Sequence, residues 1–114
     1  MKILKLVNND KVICDYIEDA SNFYTRFMGL MYRKSLPRDH GLLLTPCNEI
    51  HTFGMRFDID TVAISKEGEV LFIDRAVKPN KVRKRVKGCH MVLELNSSVA
   101  DELGIQVGDM LEFK

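Results

Sequence analysis

The densest run of reactive side chains lies between Cys47 and Asp60, where a thiol, an imidazole, a guanidinium and the carboxylates of Glu49, Asp58 and Asp60 share one short segment. Cys47 and His51, four apart, have the residue types of a zinc site, or of the nucleophile and base of a thiol hydrolase. In an extended strand four residues span about 13 Å, so the two reach one ion only across a tight turn. Cys89 and His90 add two further candidate ligands, but adjacent strand residues point to opposite faces. These spacings match no ordinary tetrahedral site, so no metal and no cofactor is expected. Cys47 and Cys89 read more simply as small buried hydrophobes.

Asp60 is the more informative acid. If Val62 and Ile64 face the core, a period of two places Asp60 on the same inward face, where a carboxylate must be paired or protonated. Arg56 and Asp58 share that face if the strand extends so far back, and His51 is a second possible partner. One reading has Asp60 accepting backbone hydrogen bonds at a strand start or bulge. The other makes it half of an acid–imidazole pair in a pocket. On the pocket reading Cys47, His51, Met55, Arg56 and Asp60 bind a small polar or anionic ligand. The competing enzyme reading is a small hydrolase or metal-assisted enzyme using Cys47, His51 and Asp60.

Residues 78 to 87 carry six basic side chains and no acid; subtracting six from the net charge of +1 leaves −5 on the rest of the chain. Lys78, Lys81, Arg83, Lys84 and Arg85 are therefore candidate anion contacts, and an adaptor for nucleic acid or protein is a third reading. The stretch has no aromatic residue to stack bases, which disfavours nucleic acid and favours a solvated loop.

The elements that must position these groups follow from composition and periodicity. With 114 residues, 46% hydrophobic and 29% charged, the chain has the balance of a single globular domain spanning 1–114. Three cysteines do not suit a disulfide scaffold. The start is too interrupted for a signal peptide and no apolar run approaches a membrane span, so a cytoplasmic monomer or weak homo-oligomer with no membrane contact is expected. Lys2–Val7 and Lys11–Cys14 read as a hairpin around Asn8-Asn9-Asp10. From Ser21, Phe23, Phe27 and Met31 recur at helical spacing, with Asp19 or Ser21 as N-cap. Beyond Pro37 the signal is short strands: Gly41–Thr45, Thr61–Ser65 and Val70–Ile73 around a turn, and Cys89–Leu95. In the last of these Met91, Leu93 and Leu95 take one face, and His90, Val92 and Glu94 the other. Ser97 or Ser98 caps a helical turn closed by Gly104, and Met110–Phe113 ends the chain as a strand. The expected fold is mainly β (α+β), a compact small barrel or sandwich with one helix after the first hairpin and a short C-terminal helical turn.

Gly29-Leu30-Met31-Tyr32-Arg33, Gly41-Leu42-Leu43-Leu44, Ile50-His51-Thr52-Phe53-Gly54-Met55 and Ile59-Asp60, in that order, resemble the family known as domain of unknown function 192. Val92-Leu93-Glu94-Leu95 and Leu103-Gly104-Ile105-Gln106-Val107-Gly108-Asp109 match its closing pattern. The resemblance implies a compact, mostly β domain with a helix after the first hairpin, and brings no established activity. Many relatives carry a Trp-Met-Lys-Asn-Thr type segment where this chain has His51-Thr52-Phe53-Gly54-Met55. Asp60 is the family position kept here.

Overall fold

The computed structural model describes residues 2–21, 33–52, 54–83 and 85–114. The expected helix of Phe23, Phe27 and Met31, most of the Gly29–Arg33 motif, and Lys84 lie outside them. The architecture is mostly β. Strands β1 (Ile3–Asn8), β2 (Lys11–Ala20), β3 (His40–Leu44), β5 (Ile59–Ser65), β6 (Val70–Val77), β8 (Cys89–Asn96) and β9 (Leu111–Phe113) form one sheet in the order β6-β5-β8-β3-β2-β1-β9. Strands β4 (Ile50–His51) and β7 (Val82–Arg83) pair as a separate antiparallel ribbon. The helical turn α1 (Val99–Glu102) follows β8.

Local chemistry accounts for the joints. Asn9 and Asp10 both take positive φ, 53° and 64°, as a tight hairpin turn demands, and Asn and Asp tolerate that region best after glycine. β2 continues to Ala20, beyond the expected Cys14, because its second half pairs in parallel with β3 from Tyr16↔His40 to Ala20↔Leu44. Asp19 is consequently a strand residue and not a helix cap. The sheet curls towards a barrel but stays open: its outer strands approach at the single bridge Glu69↔Met110. Gly68 makes that approach possible. Its φ is +104°, and a Cβ there would stand 2.4 Å from the Leu111 carbonyl oxygen.

The central strands are buried on both faces, so the sheet carries two cores. Leu43, Leu93, Val62 and Ile73 form one cross-strand row on the inner face, with Leu6, Ile17, Ile64 and Leu95 packed around them. On the outer face Leu42, Leu44, Ile59, Val77 and Val92 form a second cluster beneath Leu36, Ile50 and Met55. The alternation expected along β8 is present, with Leu93 and Leu95 in the first cluster and Val92 in the second.

Asp60 lies on the inner face at 0% exposure. Between Ile59↔Val77 and Thr61↔Asp74 it opposes both Arg75 and Ala76, a bulge in which Ala76 takes a φ of 51°. The bulge turns the Ala76 N–H towards Asp60, whose Oδ1 accepts it at 2.9 Å. Oδ2 accepts the N–H of Ala100 at 3.0 Å. Ala100 is the second residue of α1. Ser98, at the cap position, has a φ of 74° and makes no side-chain cap, so Asp60 serves the helical turn in its place. The other end closes as expected at Gly104, with Ile105 N–H on Ala100 O and Gly104 N–H on Asp101 O.

Asp60→Ala leaves both N–H groups unsatisfied and should cost about 2–5 kcal/mol. Asp60→Asn keeps one acceptor and should cost roughly half as much. Urea unfolding midpoints of the two variants measure this, and an Ala variant as stable as the parent would contradict the arrangement.

Candidate functional site

The segment after β3 crosses the outer face and is held by main-chain bonds. Cys47 N–H donates to His90 O at 2.8 Å, and Ile50 and His51 pair with Arg83 and Val82. Thr52, which the sequence reading did not single out, is the clamp. Fully buried, its Oγ1 accepts from Lys81 N–H at 2.8 Å and donates to Lys78 O at 2.7 Å, while its own N–H reaches Lys81 O at 2.8 Å. The basic segment is thereby fastened to β4.

The expected pocket residues have separate surroundings. Cys47 is half-buried and its thiol donates to Glu49 O. His51 is exposed on β4, Met55 is buried in the outer cluster, and Arg56 is exposed. β5 begins at Ile59, so the alternation that would bring Arg56 and Asp58 to the face of Asp60 does not reach them. Asp58 pairs instead with Lys78, at 3.0 Å. Among the basic residues, Arg83 Nε lies 2.8 Å from Asp74 Oδ2, whereas Lys81 and Arg85 are exposed with no ion pair among the described residues. The solvated-loop expectation thus meets a segment that is partly neutralised and tied down. No group of three or more His, Cys, Asp or Glu side chains that could hold a metal ion occurs among the described residues.

A groove of about 320 Å³ opens between the outer face and the β4–β7 ribbon. Thr61, Ala63, Leu71, Phe72 and Val92 floor it; Ile50, Val86 and Cys89 form its walls; Asn48, Glu49, Asp74, Arg83 and Arg85 supply its polar groups. His51, Met55, Arg56 and Asp60 do not line it. Phe72, half exposed at 50%, stands on the floor within β6, which runs to Val77, beyond the expected end at Ile73.

One cross-strand row of the outer face reads Glu18, Leu42, Glu94, Thr61, Asp74. Glu18 pairs with Arg33 at 2.7 Å and Asp74 with Arg83, but Glu94, between them, is buried and its Oε1 makes no hydrogen bond among the described residues. Burial pushes the Glu94 carboxyl from its ordinary 4.5 up to about 7, against a weaker downward pull from Arg33. Thr61, its direct neighbour on β5, belongs to the groove floor.

The model of the DUF192 family, described as an uncharacterized ACR, matches residues 5–113. A UPF0127 protein of Pyrococcus furiosus is 29% identical over 112 residues, covering 94% of both chains. A crystal structure from Sinorhizobium meliloti, named for a suggested role in transcription regulation, superposes with a TM-score of 0.81 at 24% identity, over 96% of this chain and 91% of that one. A protein of unknown function from Novosphingobium aromaticivorans does so at 0.77 and 23% identity, over 85% and 74%. At these identities the two structures share the fold.

Glu94 gives a signed pH dependence. Its folded-state pKa is raised, so the folded chain holds the proton more tightly than the unfolded one. The penalty is absent below about 4.5 and complete above about 7. Over that window stability should fall by about 3 kcal/mol on account of this group. Glu94→Gln should remove that part of the slope and be the more stable chain at pH 8. Urea unfolding at pH 5 and pH 8 decides it, and identical slopes for parent and variant would show that Glu94 does not titrate in this window.

Proposed function

The chain belongs to the DUF192 family, which supplies a fold without an assigned activity, and we propose a function from the groove: binding of a small monoanion with an apolar body. The observation that carries this reading is Arg85, an exposed guanidinium with no ion pair among the described residues, at a groove whose floor is Ala63, Leu71, Phe72 and Val92. Removing apolar ligand surface from water against that floor contributes roughly 25 cal/mol per Å². The guanidinium then fixes the anionic end through charge-assisted hydrogen bonds. Glu49 and Asp74 also line the groove, so a polyanion meets repulsion that a single charge near Arg85 avoids. Lys81, exposed beside the β4–β7 ribbon, adds to the local field that draws an anion in.

On this reading the ligand of the polar-pocket expectation lies against the outer face, with Arg85 as its anion contact and Arg83 held by Asp74. The hydrolase alternative would require Asp60 to act on a substrate, and both of its oxygens are engaged by main-chain N–H groups inside the core. The adaptor alternative loses two of its cations to Asp58 and Asp74.

The fluorescent probe 8-anilinonaphthalene-1-sulfonate has the proposed chemistry, an aromatic body with one sulfonate. It should bind the folded chain saturably at one site. Arg85→Ala should weaken it about tenfold, the equivalent of about 1.4 kcal/mol. Ala63→Leu, which fills the floor, should abolish saturable binding. Titrations indifferent to both substitutions would refute the reading.

A further inference from the structure

We propose that Cys47 and Cys89 are a reversible thiol–disulfide pair, closed by exchange with a low-molecular-weight disulfide of the glutathione class. The inference is independent of the binding reading.

The cysteines divide by environment. Cys14 is packed in the inner core, its thiol donating to Asp39 O. Cys47 and Cys89 are half-buried and line one small concavity with Pro46, Asn48 and His90. The Cys47 N–H bond to His90 O brings the two main chains to about the 5 Å spacing of paired strands. The Cys89 thiol lies between two carbonyls, with Sγ 3.3 Å from Met91 O and 3.5 Å from Cys47 O. A disulfide asks for Cα atoms about 4.4–6.8 Å apart and side chains turned towards each other. The contact sets Cys47 beside His90, the chain neighbour of Cys89, and the disulfide needs the first condition to be met from there. The second asks the Cys47 thiol to leave Glu49 O and the Cys89 thiol to leave Met91 O, and S–H···O bonds are weak enough to give up on χ1 rotations.

The exchange has a natural order. Burial raises the Cys89 thiol above its ordinary value, so its thiolate is scarce and it suits the second step. The Cys47 thiolate attacks one sulfur of the glutathione disulfide, breaking that S–S bond and releasing one glutathione thiolate. The mixed disulfide on Cys47 is then attacked by the Cys89 thiolate. The Cys47–Cys89 bond forms and the second glutathione thiolate leaves. Two protein thiols are oxidised, two electrons pass to one external disulfide, and the two protons are taken up by the released thiolates. Asn48 and Cys89 also line the groove, so the bond would fix the segment after β3 against the start of β8 at one end of it.

The native chain should be equilibrated with mixtures of reduced and oxidised glutathione, quenched with an alkylating agent and mapped without reduction. Two of its three cysteines should become resistant to alkylation. A cross-linked Cys47–Cys89 peptide should appear in monomeric protein and disappear with dithiothreitol. Cys89→Ser should instead stop at a stable glutathione adduct on Cys47, and Cys14→Ser should behave as the parent. A parent chain that ends with glutathione on Cys47 and no cross-link, pairs through Cys14, links only between chains, or keeps all three thiols would overturn the proposal.

Discussion

Asp60 gives both carboxylate oxygens to main-chain N–H groups, and much of the fold follows from where those donors must stand. A buried carboxylate without a cation is tolerable only when hydrogen bonds replace its water. One donor, Ala76, is turned inward by the bulge in β6, and the other, Ala100, lies in the first turn of α1, where N–H groups have no acceptor within the helix and Ser98 supplies none. Fixing α1 against β5 fixes the Ile105 closure behind it. From there the chain reaches a turn in which Asp109 accepts from Gln106 N–H and from the Asn8 amide. That turn bonds to Val70, and Leu111 to Gly68, which is how β9 comes to lie beside both β1 and the β5–β6 hairpin. By holding α1 against β5, Asp60 thus sets up the approach of the two edges of the curled sheet.

The outer face poses the opposite problem. Its central strands are covered by the segment after β3 and by the β4–β7 ribbon, so polar groups there must be satisfied locally or remain costly. Thr52 is the satisfied case, a hydroxyl used as both donor and acceptor to join two irregular stretches. Glu94 is the costly one, its Oε1 without a hydrogen bond among the described residues, beside Leu42 and Thr61, with Arg33 acting on it through its charge. Such groups are retained at a cost to stability, and they mark the outer face, not the inner one, as the side where chemistry other than packing is accommodated.

The sequence made the main elements legible wherever a period of two or a turn signal was strong. Asn9-Asp10 announced the first hairpin, Gly68 the second, and Gly104 the end of α1. Strand parity alone placed Asp60 inward, and the bulge reading of its partners matches the bonds it makes. Parity could not show where β5 begins, and that boundary separates Asp60 from Arg56 and Asp58. Strands of two residues have no period, so β4 and β7 were invisible, and with them the ribbon that walls the groove. The burial of Glu94 carried a faint signal: a lone acid in Val92-Leu93-Glu94-Leu95, on a strand with no solvent-facing side. An alternation argument reads such an acid as exposed, because it assumes that one face of the strand is wet.

Where, then, can this fold afford to change without losing its core? The inner face has no slack, since its one acid is fully bonded and its other groups are packed hydrocarbon. The outer groove is built differently. Its floor belongs to strands β5, β6 and β8, while its far wall comes from Asn48, Glu49 and Ile50 and from Arg83, Arg85 and Val86, with the Asp74–Arg83 pair joining wall to floor. An apolar floor on paired strands holds a ligand's shape, and the wall presents Arg85 to it. That asymmetry explains why Arg85, which has no ion pair among the described residues, sits on the wall side. It also explains why Asp60, the residue that most resembled a catalytic acid in the sequence, proves to be the one on which the rigidity of the floor depends.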